Sequence, residues 1–154
     1  MITALLILHG LFAVALLGGI THQTISVFFS SRKGSSFPAK LTSVTAAVYT
    51  RAVIVLYLIT FVLGGVIYPA YRVAVRTWLE TARLWAFSGS FEVKEQIVTI
   101  GLGMLPFYWH IWRQPLDKQY STARKLTTFM LCLIIWSGFL VGHVLNNIRG
   151  LFGQ

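Results

Sequence analysis

The sequence predicts an all-α membrane protein, a bundle of four transmembrane helices with an amphipathic interfacial helix between the second and third spans. Three observations predict it. The 154 residues are 56% hydrophobic and only 11% charged, with a mean hydropathy of +0.71. The apolar residues gather in four runs separated by polar connectors, and the longest connector carries a helical period. A soluble domain normally has about a quarter of its residues charged. Half that fraction leaves too little polar surface to coat a globule, so the runs read as bilayer spans within one membrane domain, 1–154.

The first span covers about 2–29. It has no basic segment before the apolar run and outlasts a secretory h-region, so the expectation is a retained span and not a cleaved signal. It exceeds the ~20 residues needed to cross, and tilting or protrusion takes up the excess. SSRKGSSFPAK follows as a polar loop. The second span covers about 44–68 and is expected to end at Pro69, which cannot continue the helical ladder.

The connector PAYRVAVRTWLETARLWAF predicts an interfacial helix over about 70–87. Val75, Trp78, Leu79, Ala82 and Trp85 share one face, while Arg72, Arg76, Glu80 and Arg83 occupy the other. Arg76 with Glu80, and Glu80 with Arg83, are pairs that a helix brings together. Ser88-Gly89-Ser90 is expected to break this helix before the third span, about 95–112, which contains Gly101, Gly103 and Pro106. The fourth span covers about 126–144, after the loop RQPLDKQYSTARK.

The excess of cations fixes an expected orientation. Arg32, Lys33 and Lys40 lie in the first connector, and Arg113, Lys118, Arg124 and Lys125 in the third. Both connectors fall on one side of a four-span chain. The positive-inside rule places them in the cytoplasm and both termini outside, in the periplasm. The formal charge of +9 therefore reads as a topology signal. With no soluble domain to carry a basic face, nucleic acid is excluded as a partner. The single cysteine, Cys132, excludes an intrachain disulfide and a cysteine-based cluster, and reads as a packing residue.

The residues that point to chemistry are the four histidines, His9, His22, His110 and His143, all in or beside the spans. An ionisable residue in lipid is costly unless it faces a partner inside the bundle. At about 1.5 Å per residue, His9 and His143 fall in the outer half, while His22 and His110 lie near the cytoplasmic face. Each level draws one histidine from span one and one from another helix. That is the arrangement bis-histidine haem ligation requires, with facing helices supplying two axial imidazoles. Gly10, Gly138 and Gly142 beside the ligands leave room for a macrocycle, and Gly103, Pro106 and His110 share a face. The expected cofactor is one haem b, or two. His9 and His22 are thirteen positions apart, about 140° out of register on an ideal helix, unless Gly18-Gly19 rewinds it.

Arg51, Arg72 and Arg76 are candidates for propionates, since a guanidinium forms forked bonds to carboxylates. The plainer alternative is snorkelling to headgroups. Asn147, with Asn146, stands just after His143 to cap the helix or to hold a propionate or a quinone oxygen. Gly138-x-x-x-Gly142 permits close helix approach. Neither HExxH, a phosphate loop nor a Ser-His-Asp arrangement is visible, and the acids lie near surfaces, which leaves hydrolytic chemistry without support.

In its span count and in the depths of its histidines, the whole chain resembles small four-helix membrane cytochrome b subunits of bacterial respiratory complexes. The resemblance implies a bacterial inner-membrane location and an electron-transfer role between a quinone or redox centre and another subunit, with no catalytic activity in the chain alone. Its partners would be other membrane or periplasmic redox subunits and the lipid bilayer. Two further readings compete: a cofactor-free accessory subunit that stabilises a membrane complex, and a proton or small-solute pathway built on the intramembrane histidines.

Overall fold

A computed structural model describes residues 2–29, 46–115 and 118–152, the last five by backbone alone. Among the described residues the chain is all-helical. Helix α1 spans Ile2–Phe28, α2 Tyr49–Ala70, α3 Thr77–Thr81, α4 Trp85–Arg113 and α5 Ser121–Phe152. Short 3₁₀ turns at Ala46–Val48 and Lys118–Tyr120 lead into α2 and α5. Three of the four long helical stretches are long and apolar enough to cross a membrane: Ile2–Phe28, Ala46–Thr81 and Lys118–Asn147. This fits a membrane protein. Helix α4, which holds the expected third span, is not among those three. Its first half carries Glu92, Lys94 and Glu95, and its second half includes Tyr108, Trp109 and His110.

The expected boundaries need three corrections. Helical winding does not stop at Pro69, which lies inside α2. The residues after it, Tyr71–Arg76, wind as a π-helix and pass directly into α3. A widened turn of this kind accommodates a local disruption of the hydrogen-bond ladder without ending the rod. The expected single helix over 70–87 is divided between two elements. The chain turns at 82–84, where Arg83 takes φ 58, and Trp85 already opens α4. Ser88-Gly89-Ser90 breaks nothing. Ser88 is buried and Ser90 Oγ donates to the Ala86 carbonyl at 2.7 Å, so the helix itself satisfies the polar triplet.

The four long helices form an up-down bundle in which α1 packs on α2 and α5, and α4 on α5 and, less extensively, on α2. Tight packing is concentrated towards the end where α1 finishes and α2 begins. Leu16 and Ile20 of α1, Val53 and Tyr57 of α2, Leu105, Tyr108 and Trp112 of α4, and Leu131, Cys132 and Ile135 of α5 make one core cluster. Two close approaches join α4 to its neighbours. The Tyr57 hydroxyl crosses Gly101 to donate to the Val98 carbonyl at 2.7 Å, and a Cβ at Gly138 would come within 3.0 Å of Val98 Cγ2. The second is the close contact that a small residue permits between helices.

Polar side chains reinforce the same end. Gln23, fully buried, donates to the Ala46 carbonyl at 3.1 Å and to Thr50 Oγ1 at 3.2 Å, and accepts from the Tyr108 hydroxyl. Trp112 Nε1 donates to Thr128 Oγ1 at 3.1 Å. Arg124, expected among the loop cations, is buried and donates to the carbonyls of Ile111, Gln114 and Pro115. It thereby satisfies the backbone at the C-terminal end of α4, where a cation also complements the helix dipole.

Candidate functional site

The half of the bundle around the N-terminal part of α1, the C-terminal part of α2 and the start of α4 is packed differently. No residue of α1 before Leu16, and none of α2 after Tyr57, is fully buried. Among the described residues, the buried side-chain atoms without a hydrogen-bond partner are His9 Nδ1, Thr60 Oγ1 and Tyr71 Oη. All three belong to this half. Thr60 and Tyr71 follow one face of α2 and the π turn after it, where Thr50, Tyr57, Gly64 and Tyr71 recur every seven residues with Thr60 between them. Buried polar atoms normally find partners, so three orphans in one region call for a water or a ligand.

His9 is half-buried and turns against α2, where a Cβ at Gly64 would meet its Cε1 at 3.3 Å. The Thr60 carbonyl lies beside the ring without meeting hydrogen-bond geometry. Lys94 and Glu95 of α4 are within electrostatic reach of the imidazole and pair with each other at 2.8 Å. Beyond them Tyr71 stacks on Phe91, with ring centroids 3.7 Å apart, and Lys94 Nζ sits 4.0 Å over the same Phe91 ring. Arg76 closes this end, with Nε 2.7 Å from Glu80 and Nη1 2.8 Å from Glu92. It ties α3 to α4. Replacing Arg76 by alanine should speed amide hydrogen exchange across 77–84 and leave α1 and the second half of α4 unchanged.

Of the other three histidines, His22 is half-buried against α2 like His9, whereas His110 and His143 are exposed. His22 stacks on Tyr49 at 4.7 Å, with Nδ1 3.3 Å from Ser26 Oγ. His110 is exposed and its Nε2 lies 3.1 Å from Gln114 Nε2. His143 is exposed, stacks on Phe139, and its Nε2 lies 3.0 Å from Asn147 Nδ2. The levels can be read from cross-helix contacts. Tyr108 meets Gln23, which sets His22 and His110 within about a turn of each other in depth. Trp136 Nε1 donates to Thr21 Oγ1 at 3.0 Å, which sets His143 and His9 within about two turns of each other. Neither pair is joined by a hydrogen bond or a ring contact among the described residues.

Compared with protein-family models, curated proteins and solved structures, the chain matches none. The reading of the site therefore rests on its own geometry.

The arginines and Asn147 are distributed as follows. Arg72 is exposed just after the C-terminal end of α2, and Arg76 is already engaged by two glutamates. Asn147 is engaged with His143. Arg51 lines a cleft of about 510 Å³ at the opposite end, shared with Ala47, Val48, Thr50, Trp109, Trp112 and Arg113. The described residues hold no cluster of three metal-ligating His, Cys, Asp or Glu side chains. A haem needs only one imidazole from each side, so His9 meets one half of that requirement. It has an interior ring, an unpartnered nitrogen, a small residue in contact and loose packing around it. The geometry does not present a second imidazole to it from within the chain. The α2 hydroxyl series and buried Arg124 were missed in the sequence. The seven-residue recurrence of Thr50, Tyr57, Gly64 and Tyr71 was the available signal for the former.

Proposed function

We propose that this chain is a b-type cytochrome-like electron-transfer subunit of a larger membrane redox complex, with a single haem b held by His9 in the outer half of the bundle. One observation carries the reading: every unpartnered buried polar atom among the described residues lies in the loosely packed half that contains His9. A bound haem would supply one-electron chemistry there. Of the candidate propionate partners, Arg72 is exposed, whereas Arg76 would first have to leave its glutamates. The other side chain to hold such a haem would be His143, after it turns from Asn147, or a group of a neighbouring subunit. The inner pair, His22 and His110, is the weaker candidate for a second haem, because His22 is stacked and His110 faces outward.

The accompanying topology is four spans, with α4 crossing among its neighbours and α3 with the π turn at the outer surface. Both termini are periplasmic in a bacterial inner membrane. The exposed polar pairs His110–Gln114 and His143–Asn147 favour a partner subunit over bare lipid, as does the cost of polar groups in hydrocarbon. They support the second reading, an accessory subunit without a cofactor of its own.

Reduced-minus-oxidised spectroscopy with a pyridine haemochrome tests the proposal. The protein isolated with its native membrane partners should give a b-type α-band, and His9→Ala should abolish it. His143→Ala separates the two sources of the second ligand: loss of the band assigns it to this chain, and retention assigns it to a partner. A well-folded, haem-supplemented complex with no band would remove the cytochrome reading and leave the accessory one.

A further inference from the structure

The cleft lined by Arg51 and Arg113 lies at the depth of His22 and His110, but no histidine lines it. Its walls come from two helix ends. Ala47, Thr50 and Arg51 lie along one face at the start of α2, while Trp109, Trp112 and Arg113 lie along one face of the last turns of α4. The volume of about 510 Å³ falls in the range of small-ligand sites. The lining combines two guanidinium groups, two indoles and a hydroxyl. Arg113 is held 5.5 Å over the Trp109 ring, which keeps its charge at the cleft. Trp112 is buried and fixed by Thr128, so that wall is rigid. Thr50 is also buried, and its hydroxyl is engaged in the core by Gln23 and Tyr108, so the anion-binding groups of the cleft are the two guanidinium groups.

Charge distribution identifies what the cleft takes. The three glutamates, Glu80, Glu92 and Glu95, all lie at the opposite end of the bundle. Asp117 lies outside the described residues. Two arginines around a cleft recognise a compact anion with several acceptor oxygens, for which phosphate is the best match to forked guanidinium donors. Indoles beside them are suited to the level where headgroups meet acyl chains. Basic pockets between transmembrane helices on the cytoplasmic side are a recurring site for anionic lipid headgroups.

We propose that the Arg51–Arg113 cleft binds a phosphate group, carried by an anionic phospholipid or present as free phosphate. Native mass spectrometry of the full chain, released from nanodiscs with equal phosphatidylglycerol and phosphatidylcholine, tests it. The wild-type protein should retain phosphatidylglycerol preferentially. R51Q/R113Q should lower that preference about tenfold or more, as expected for losing two charge-assisted contacts. R83Q, a charge removed at the far end, should leave it unchanged. R51K/R113K keeps the charge without the fork and should fall between the two. This graded response distinguishes lost binding from lost folding. A second arm adds inorganic phosphate against chloride at equal ionic strength. Arginine-dependent phosphate adducts that displace phosphatidylglycerol assign the site to free phosphate. Equal phosphatidylglycerol retention in wild type and R51Q/R113Q, with no arginine-dependent phosphate adduct, would overturn the proposal.

Discussion

Gly101→Ala is expected to destabilise the folded bundle by about 1–3 kcal/mol, the usual cost of forcing a methyl group into a filled space. The new Cβ would fall on the Tyr57 hydroxyl and come within 2.8 Å of Ile134 Cγ2. Neither neighbour can retreat freely. The hydroxyl is held by the Val98 carbonyl at 2.7 Å, and Tyr57 is itself buried in the core. Ile134 belongs to α5, which packs along α4. Reversible unfolding in mixed micelles measures the effect. Tyr57→Phe removes the atom that collides, so Y57F/G101A should be more stable than the sum of the single changes predicts. That non-additivity is what residues in direct contact give. A Gly101→Ala protein as stable as the wild type would mean that α2, α4 and α5 do not meet as described.

Gln23→Leu is expected to cost a comparable amount, about 1–3 kcal/mol. The side chain joins α1 to both neighbouring segments through the Ala46 carbonyl, Thr50 Oγ1 and the Tyr108 hydroxyl. Leucine fills a similar volume but strands those three groups in a region with little water. Tyr108→Phe removes one bond of the set and should cost less. The ordering Q23L below Y108F below wild type, read from the same unfolding titration, is the check. A reversed order would show that the phenol anchors the network and the amide only completes it.

The apolar runs were legible because span length follows from bilayer thickness and a fixed rise per residue. The same arithmetic sorted the histidines into two levels, His22 with His110 and His9 with His143. Azimuth was not legible. Whether His143 faces α1 or the outside depends on how α5 packs, and Gly138 decides that by lying against Val98. Breaker residues misled for a different reason. Pro69 and Ser88-Gly89-Ser90 end helices that can exchange backbone bonds for water. Here a π turn absorbs the first, and a serine bonding back to its own helix absorbs the second. Arg124 looked like a topology signal, but its distance from the end of α4 made it a backbone partner. The Gln23 and Tyr108 contact joins residues 85 positions apart, and no local pattern announces a pair that distant.

Among the four long helices α4 alone lacks a stretch long and apolar enough to cross a membrane, yet it supplies Leu105, Tyr108 and Trp112 to the core and takes Tyr57 across its glycine. This has a consequence for biosynthesis. While the ribosome is still making the chain, α1 and α2 can partition into lipid as they emerge. Helix α4 would gain little by doing so alone. On the proposed four-span topology its entry is expected to wait for α5, so that the two leave the insertion machinery as a hairpin and close against a pair already in place. A nascent chain truncated before Ser121 should therefore leave α4 accessible to water-soluble thiol reagents at an engineered cysteine. Extension through α5 should bury it.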